Sequence, residues 1–248
     1  MLVFRVTASC RVGCIRPNNE DIILVGDQII RDAELHQTFS VDDSDRLIFA
    51  LADGMGGHRS GDVASADTIE NLRFYYGDLP VGMTDEMFKD SILSWHRSIH
   101  SIISSRGRAE QRYEGMGTTL VALLCYAQNF YWLNCGDSRL YRLHAGELTQ
   151  VTTDHSPKDP NGMGGHTNLI TNCIGGGCQT SFIDIVPCNE LVEPGDTLML
   201  CSDGLNDMIS DTEICNLLKQ GLDANDLCLA AEAAGGYDNV SVVVIRIE

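Results

Sequence analysis

Four aspartates occupy the same kind of position in this sequence, because each follows an apolar run and precedes a small or amide residue. They are Asp53, Asp137, Asp203 and Asp238. A fifth acidic group, Glu20-Asp21, stands directly before the apolar Ile22. A single aspartate at a strand end is usually a turn former. Five acidic groups at strand ends of one domain would repel one another if they converged, unless cations lay between them.

The apolar runs themselves have strand length and are bounded by Gly, Asn and Asp. The predicted strands are Leu2–Ala8, Ile22–Val25, Leu47–Ala52, Thr119–Cys125, Phe130–Asn134, Leu140–Leu143, Thr197–Cys201 and Val240–Ile247. A hairpin turn is predicted at residues 144–147.

Two helices are predicted between the early and middle strands, at Asp62–Tyr76 and Asp85–Ser104. In the second, Phe88, Ile92, Trp95, Ile99 and Ile102 recur at helical spacing and predict one buried stripe. Two later helices are predicted, one opened by a Ser210/Glu213 capping box and one over Asp226–Ala234 that ends at Gly235-Gly236. The order predicts an α+β fold of antiparallel sheets covered by helices.

Composition narrows the class of protein. The chain has 248 residues, 44% of them hydrophobic, and no Pro/Gly/Ser-rich linker or repeat, so a single domain over 1–248 is predicted. The formal net charge of −18 disfavours binding to nucleic acid or to an anionic membrane. No apolar run approaches the length of a bilayer span.

The ten cysteines do not have a disulfide or zinc pattern. No signal peptide is visible, no Cys-x-x-Cys pair occurs, and Cys125, Cys135 and Cys201 lie within apolar runs. The sequence therefore predicts a reducing, cytoplasmic setting and disfavours a zinc or redox role.

The Gly-rich segment ALADGMGGHRSGDVAS at residues 50–65 allows two interpretations, a phosphate-binding loop or a metal-binding turn. A phosphate loop of the Walker type needs Gly-Lys-Ser/Thr at its end, whereas His58 and Arg59 stand there. The available donors are carboxylates and the Gly54 carbonyl, hard ligands that suit Mg²⁺ or Mn²⁺. His96 and His100 are one helical turn apart, but Arg97 replaces the Glu of a zinc-protease helix, so both are expected at the surface.

Seven segments in order over nearly the whole chain resemble the bacterial type-2C metal-dependent protein serine/threonine phosphatases. They are GCIRPNNED (13–21), ADGMGGH (52–58), GTTL (117–120), NCGDSR (134–139), TDHS (153–156), LCSDGL (200–205) and DNVS (238–241). Each segment alone is a weak signal, but the ordered set is specific.

The resemblance implies a four-layer αββα sandwich of two antiparallel sheets, with a dinuclear metal centre at one end. By position, Asp53 would bridge both ions, the Gly54 carbonyl and Glu20 would bind one, and Asp203 and Asp238 the other. Asp21 would orient metal-bound water and Arg16, and Arg16 would clamp the substrate phosphate, a task that suits a guanidinium. Asp137 would hold a third, weaker ion together with Asp203.

Two features depart from the family pattern. Eukaryotic members often carry His directly after Asp-Gly as a proposed general acid, whereas Met55 stands here and cannot donate a proton. Leaving-group protonation would then come from water, with His58 a minor candidate. The flap that follows residues 154–156 is expected to be short, at about 157–165.

The resemblance predicts hydrolysis of phosphoserine and phosphothreonine by metal-activated water, with two Mn²⁺ or Mg²⁺ ions. The expected substrates are phosphorylated proteins, the products of a serine/threonine kinase, in a cytoplasmic signalling role for a monomer. The alternative is a non-catalytic module of the same fold that binds a partner or phosphopeptide. A Ca²⁺-binding structural domain is a third hypothesis, but the chain lacks EF-hand spacing.

Overall fold

The computed structural model describes residues 2–41, 46–56, 60–156 and 170–248. Within them, strands β1 to β15 run in chain order. Their bounds are Val3–Arg11, Ile22–Val25, Gln28–Ile30, Ala33–Ser40, Arg46–Ala52, Gly54–Met55, Gly117–Thr118, Leu120–Tyr126, Asn129–Cys135, Arg139–His144, Glu147–Gln150, Ile174–Gly175, Asp184–Pro187, Thr197–Cys201 and Val240–Ile247. Five α-helices in the same residues, α1 to α5, are Gly61–Gly77, Asp85–Ala109, Asp203–Asn206, Asp211–Lys219 and Ala224–Ala233.

Two six-stranded antiparallel sheets form the centre of the fold. The first has the order β11-β10-β14-β15-β1-β4 and the second the order β13-β9-β8-β5-β2-β3. A cluster of apolar side chains fills the space between the sheets. In it, the centroid of the Phe4 ring lies 6.1 Å from the centroid of the Phe49 ring and 5.8 Å from that of the Phe130 ring. Helices α1 and α2 cover the outer face of the second sheet, and α4 and α5 cover that of the first. The predicted αββα sandwich is confirmed.

All eight predicted strands are present, but several further strands were missed. The longest of these is β4, whose eight residues are all exposed or half-buried and include Glu34, His36 and Gln37. It pairs only with β1, at the edge of the first sheet, where one face remains in water. Its sequence therefore lacks the apolar run by which strands are recognised.

Helix α2 corrects two sequence predictions. Ile103 is completely buried, whereas Ile102 is 51% exposed, so the stripe continues from Ile99 by a step of four rather than three. His96 is 2% exposed and not at the surface, and its Nε2 lies 3.1 Å from the Ser181 Oγ. Burial lowers the pKa of His96 to about 4. His100 is half-buried, and its Nδ1 accepts a 3.1 Å hydrogen bond from the Gly175 N–H.

The predicted capping signals are partly as expected. The Ser210 side chain accepts a hydrogen bond from the Glu213 N–H at the start of α4. The complete capping box lies one helix later, where Asp223 and Asp226 bond each other's backbone N–H at the start of α5. Aspartate at both positions differs from the usual Ser/Thr and Glu pair, so the usual capping-box pattern does not predict this box.

A small third sheet, with the order β12-β7-β6, leads from the second sheet toward the Asp53 turn. At that turn the backbone of Gly54 contacts the backbone of Gly61, the first residue of α1. A Cβ atom at Gly54 would lie 2.2 Å from the Gly61 carbonyl oxygen, so only glycine fits there. Gly54 and Gly61 thus permit close packing of α1 against the turn. Among the described helices, none is both long and apolar enough to cross a membrane.

The neighbouring isoleucines of α2 provide a matched test of this packing. We expect Ile103→Ala to lower the free energy of unfolding by about 2–5 kcal/mol, because it leaves a cavity under the helix. Ile102→Ala removes the same atoms from an exposed position and should change stability by about 0.5 kcal/mol or less. Urea unfolding followed by circular dichroism measures both. Equal losses would contradict the assigned orientation of the helix.

Candidate metal centre

The pairing register brings the acidic strand ends to one edge of the two sheets. In the second sheet Ile22 pairs with Ala52, Leu51 with Val121, and Leu120 with Cys135. In the first sheet Cys201 pairs with both Arg139 and Val242. Glu20-Asp21, Asp53, Asp137, Asp203 and Asp238 each lie within two residues of these ends. The acidic strand ends of both sheets therefore lie at one edge of the sandwich.

Asp53 occupies a turn whose backbone is fixed on both sides by two buried threonines. Its carbonyl accepts hydrogen bonds from the Thr119 N–H at 2.9 Å and the Thr118 Oγ1 at 2.8 Å. Its own N–H donates to the Thr119 Oγ1 at 3.0 Å. The same Thr119 hydroxyl lies 2.7 Å from the Oγ of Ser138, the residue after Asp137. Thr119 thus holds the Asp53 and Asp137 turns at a fixed separation.

Asp21 and Asp203 are joined through Ser202. The Ser202 hydroxyl donates to the Asp21 Oδ2 at 2.8 Å, and its oxygen accepts from the Ser241 N–H at 3.1 Å. The Oδ1 atoms of Asp21 and Asp203 are both buried and have no hydrogen-bond partner among the described residues. Buried carboxylate oxygens are normally satisfied, so these two oxygens indicate positions where a bound cation fits.

Asn239 organises the loop that carries Glu20. Its amide nitrogen donates to the carbonyls of Val12 at 2.9 Å and Asn18 at 3.0 Å, and its Oδ1 accepts from the Glu20 N–H at 2.9 Å. Asn239 directly follows Asp238, so one amide side chain sets the Glu20 loop against the Asp238 turn. This residue is 5% exposed.

Arg16 lies at the outer rim of the same edge, with its side chain 52% exposed. Its Nη2 donates to the Asp238 Oδ2 at 2.6 Å. Asp21, which the resemblance assigns to orient Arg16, is completely buried, and its bonded oxygen faces Ser202. Asp238, which is itself partly exposed, reaches the guanidinium instead.

The charges of neighbouring carboxylates contribute to the raised pKa values of Asp53, Asp203 and Asp21. Burial first, and then the charges of Asp21, Asp203, Asp238 and Asp137, raise the pKa of Asp53 well above its usual value. Burial followed by the charge of Asp137 does the same to the pKa of Asp203. Burial is also the main cause that raises the pKa of Asp21 to about 6. Without cations, the charged form of this cluster is disfavoured.

Glu20 and Asp137 extend the cluster in two directions. Burial and the charge of Asp62 raise the pKa of Glu20, and the Glu20 carboxylate lies close to Gly61 at the start of α1. Burial, together with the charges of Asp154 and Asp207, raises the pKa of Asp137 to about 6. Asp62 and Asp207 were not singled out from the sequence, although each lies within nine residues of a predicted ligand.

The donor set fits hard divalent cations. All its side-chain donors are carboxylate oxygens, the kind of ligand that Mg²⁺ and Mn²⁺ prefer. In the described part of the chain, one group of His, Cys, Asp or Glu side chains has three donor atoms within 4.8 Å of one another, and it lies outside the acidic cluster: His144, Glu193 and Asp196. There the Arg142 guanidinium already contacts the Asp196 carboxylate, which also bonds His144 at 2.7 Å, so this group is an ion-pair network. Among the described residues, no three side-chain donors of the acidic cluster lie within 4.8 Å of one another, so its carboxylates are spread more widely than the ligands of a single ion.

The polar neighbours that hold the carboxylates lie within the motifs quoted from the sequence but were assigned no role there: Thr118, Thr119, Ser202 and Asn239. A signal for them existed. Each is a small polar residue beside an apolar strand, and Ser202 and Asn239 are directly adjacent to a predicted ligand. By contrast, His58 and the predicted flap at 157–165 lie outside the described residues.

The raised pKa of Asp137 predicts a pH-dependent stability of the metal-free protein. Because the folded form has the higher pKa, ionisation of Asp137 costs stability above about pH 6 and costs nothing below pH 4. We expect Asp137→Asn, measured in EDTA, to stabilise the protein at pH 7.5 by on the order of 2 kcal/mol. The gain should disappear as the pH falls toward 4. Asp90→Asn, on the exposed face of α2, is the control; a gain independent of pH would contradict the assignment.

Comparison with known proteins agrees with this geometry. The family described as Protein phosphatase 2C matches residues 25–227. The serine/threonine protein phosphatase PstP of Mycobacterium tuberculosis is 34% identical over 259 residues, which cover 99% of this chain and 45% of PstP. The chain thus spans about half the length of that relative.

Solved structures show the same fold. A serine/threonine phosphatase of S. agalactiae superposes with a TM-score of 0.83 at 28% identity, covering 99% of this chain and 100% of that one. The catalytic domain of PstP in complex with two manganese ions has a TM-score of 0.75 at 32% identity, covering 100% of this chain and 99% of that one. The family match, the ordered motifs and the shared fold together establish that this chain belongs to the protein phosphatase 2C family.

Proposed function

We propose that this chain is a metal-dependent protein phosphatase that hydrolyses phosphoserine and phosphothreonine at a dinuclear Mg²⁺ or Mn²⁺ centre. The observation that carries the proposal is the meeting of buried, partly unsatisfied carboxylates with the exposed guanidinium of Arg16 at one edge of the sandwich. The carboxylates suit cations, and the guanidinium suits a phosphate oxyanion. All the residues expected as ligands are present, which disfavours a non-catalytic module.

Two groups of residues would hold the ions. Asp53 would be shared between them, with Glu20 and the Gly54 carbonyl on one side and Asp203 and Asp238 on the other. Two divalent ions at such a site supply an acidified water that can attack phosphorus at neutral pH. The polar neighbours described above keep this ligand set in place before any ion binds.

The remaining work falls to residues outside the ligand set. Arg16 would bind the phosphate of the substrate, and its ion pair with Asp238 holds the guanidinium at the rim for that purpose. Asp21 would orient the attacking water, because its carboxylate is fixed by Ser202 and retains one unsatisfied oxygen. Met55, whose thioether cannot donate a proton, leaves protonation of the departing oxygen to water.

Asp137 would bind a third and weaker ion together with Asp203. The proximity of the two carboxylates supports this role. Burial is the largest cause of the raised pKa of Asp203, and the charge of Asp137 is the second largest. Few protein ligands are available there, so weak binding is expected. Loss of such an ion would lower turnover while leaving the binding of the two tight ions largely unchanged.

We infer that the substrates are phosphorylated proteins made by a serine/threonine kinase, and that residues 1–248 act as one catalytic domain with a short flap. We also infer a monomeric, cytoplasmic protein with a signalling role. The net charge of −18 supports the absence of nucleic-acid or membrane binding.

Metal dependence tests the proposed function directly. We expect hydrolysis of p-nitrophenyl phosphate and of a phosphothreonine peptide in Mn²⁺ or Mg²⁺, abolished by EDTA and restored by added metal. Okadaic-acid-type inhibitors should have no effect. Full activity after removal of metal would contradict the two-ion mechanism.

Three substitutions separate the assigned roles. Arg16→Ala should mainly raise KM, because it removes phosphate binding present in both the ground state and the transition state. Asp203→Asn should nearly abolish kcat, because one ion loses a charged ligand. Asp137→Ala should lower kcat while two ions stay bound, as measured by metal analysis of the desalted protein.

The substrate comparison gives a further control for Asp137→Ala. The loss should be larger on a phosphothreonine peptide than on p-nitrophenyl phosphate, whose leaving group needs little protonation. Loss of the tight ions would make Asp137 structural, and an unchanged KM in Arg16→Ala would require another phosphate-binding residue.

A further inference from the structure

Two cysteines that the metal site does not use lie against each other at the start and end of a short glycine loop. The loop sequence is Cys-Ile-Gly-Gly-Gly-Cys, from Cys173 to Cys178, and its first residues enter strand β12. The Sγ atoms of Cys173 and Cys178 are 3.4 Å apart. All ten cysteines of the chain are reduced in this structure, so the pair is a contacting dithiol.

The loop between these thiols can close a disulfide. A disulfide has an S–S length of about 2 Å, so the sulfur atoms must approach by little more than 1 Å. Gly175, Gly176 and Gly177 have φ angles of +77°, +62° and +74°, which glycine adopts without strain. The Cys178 N–H donates to the Gly175 carbonyl at 3.1 Å, a turn that keeps both sulfur atoms on one side of the loop.

The two thiols differ in access. Cys173 is 2% exposed, and burial, followed by contact with Cys178, raises the pKa of its thiol. Cys178 is partly exposed. The adjacent Gly177 lines an open groove of about 480 Å³, which also borders Arg108 and Met116. A small oxidant can therefore reach Cys178 first, with Cys173 held behind it.

We propose that Cys173 and Cys178 are a redox modification site that closes into a disulfide in hydrogen peroxide. The Cys178 thiolate attacks one peroxide oxygen, so that an S–O bond forms, the O–O bond breaks and hydroxide leaves as water. Cys173 then loses its proton and attacks the resulting sulfenic sulfur, forming the S–S bond and releasing a second water. The two thiols lose two electrons and two protons, and the peroxide is reduced to water.

The loop has a direct mechanical connection to Asp53. Ile174–Gly175 pairs with Gly117–Thr118, which in turn pairs with Gly54–Met55. The Gly176 N–H donates to the Met116 carbonyl at 2.7 Å, and a Cβ at Gly117 would lie 2.5 Å from the Gly176 nitrogen. The two backbones are therefore in contact, with no space to absorb a displacement.

Closure of the disulfide consequently acts on the metal turn. Movement of the Gly175–Gly177 segment is passed to strand β7, where Thr118 and the next residue, Thr119, bond the Asp53 carbonyl. We expect oxidation to lower phosphatase turnover. This loss of activity rests on the proposed function, whereas the formation of the disulfide is independent of it. A misplacement of about 1 Å at a reacting centre is enough for a loss of tenfold or more.

The chemical part is tested on the Mg²⁺-loaded full chain, treated with peroxide, alkylated under non-reducing conditions and mapped by mass spectrometry. The expected product is a Cys173–Cys178 crosslink that dithiothreitol reverses. It should be absent from Cys178→Ser and from Cys173→Ala, and unchanged in Cys215→Ser, which removes another partly exposed thiol. Oxidation of Cys178 to sulfonic acid without a crosslink, or a crosslink to another cysteine, would overturn the site.

The functional part uses the same samples after removal of peroxide, assayed with Mn²⁺ and p-nitrophenyl phosphate. Wild type and Cys215→Ser should lose turnover by about tenfold or more and recover it in dithiothreitol, while Cys178→Ser keeps its activity. A complete crosslink with unchanged turnover would overturn the link to Asp53. No hydrolysis by untreated protein would contradict the proposed function and leave the mass-spectrometric result standing.

Discussion

Like charges crowd one edge of the two sheets, and the surrounding loops are built to contain their repulsion. The charges of Asp21, Asp137 and Asp203 each raise the pKa of another member of the cluster, and the cost of ionising these carboxylates is a cost to the stability of the fold. Against this repulsion, Thr119 and Asn239 accept hydrogen bonds from the backbone N–H groups of Asp53 and Glu20, and Ser202 donates one to the Asp21 carboxylate. Cation binding therefore removes an existing electrostatic destabilisation of the folded state. Metal affinity and the free energy of unfolding are linked, because both depend on the repulsion among these carboxylates.

The sequence predicted the site better than it predicted the contacts within it. Aspartates at strand ends can be recognised in the sequence because each directly follows an apolar run. The order of strands and helices is enough to predict two antiparallel sheets covered by helices. Which strand ends meet depends on register, a long-range property with no local signal. The pairing of Arg16 with Asp238 rather than Asp21 followed from that register. The burial of His96 likewise depends on Ser181, 85 residues away.

The cysteines show a second limit of local patterns. The absence of a Cys-x-x-Cys pair disfavoured a redox role, because reactive dithiols most often have that spacing. Cys173 and Cys178 are five residues apart and meet only because three consecutive glycines adopt left-handed φ angles. The glycines that allow this turn also let strand β12 approach Gly117 closely. The glycines of this loop are thus required both for the contact between the two thiols and for the packing that connects the loop to the Asp53 turn.

The position of β15 has a consequence for how the molecule is made. This strand is the last element of the fold along the chain, yet it lies inside the first sheet, between β14 and β1. Asn239, just before it, bonds Asn18 across 221 residues of chain. Closing so long a loop is entropically costly and favours slow folding. A nascent chain that has not yet extruded β15 has an open sheet and an incomplete ligand set, so resistance to proteases and catalytic competence should arise together, at the end of translation of this domain.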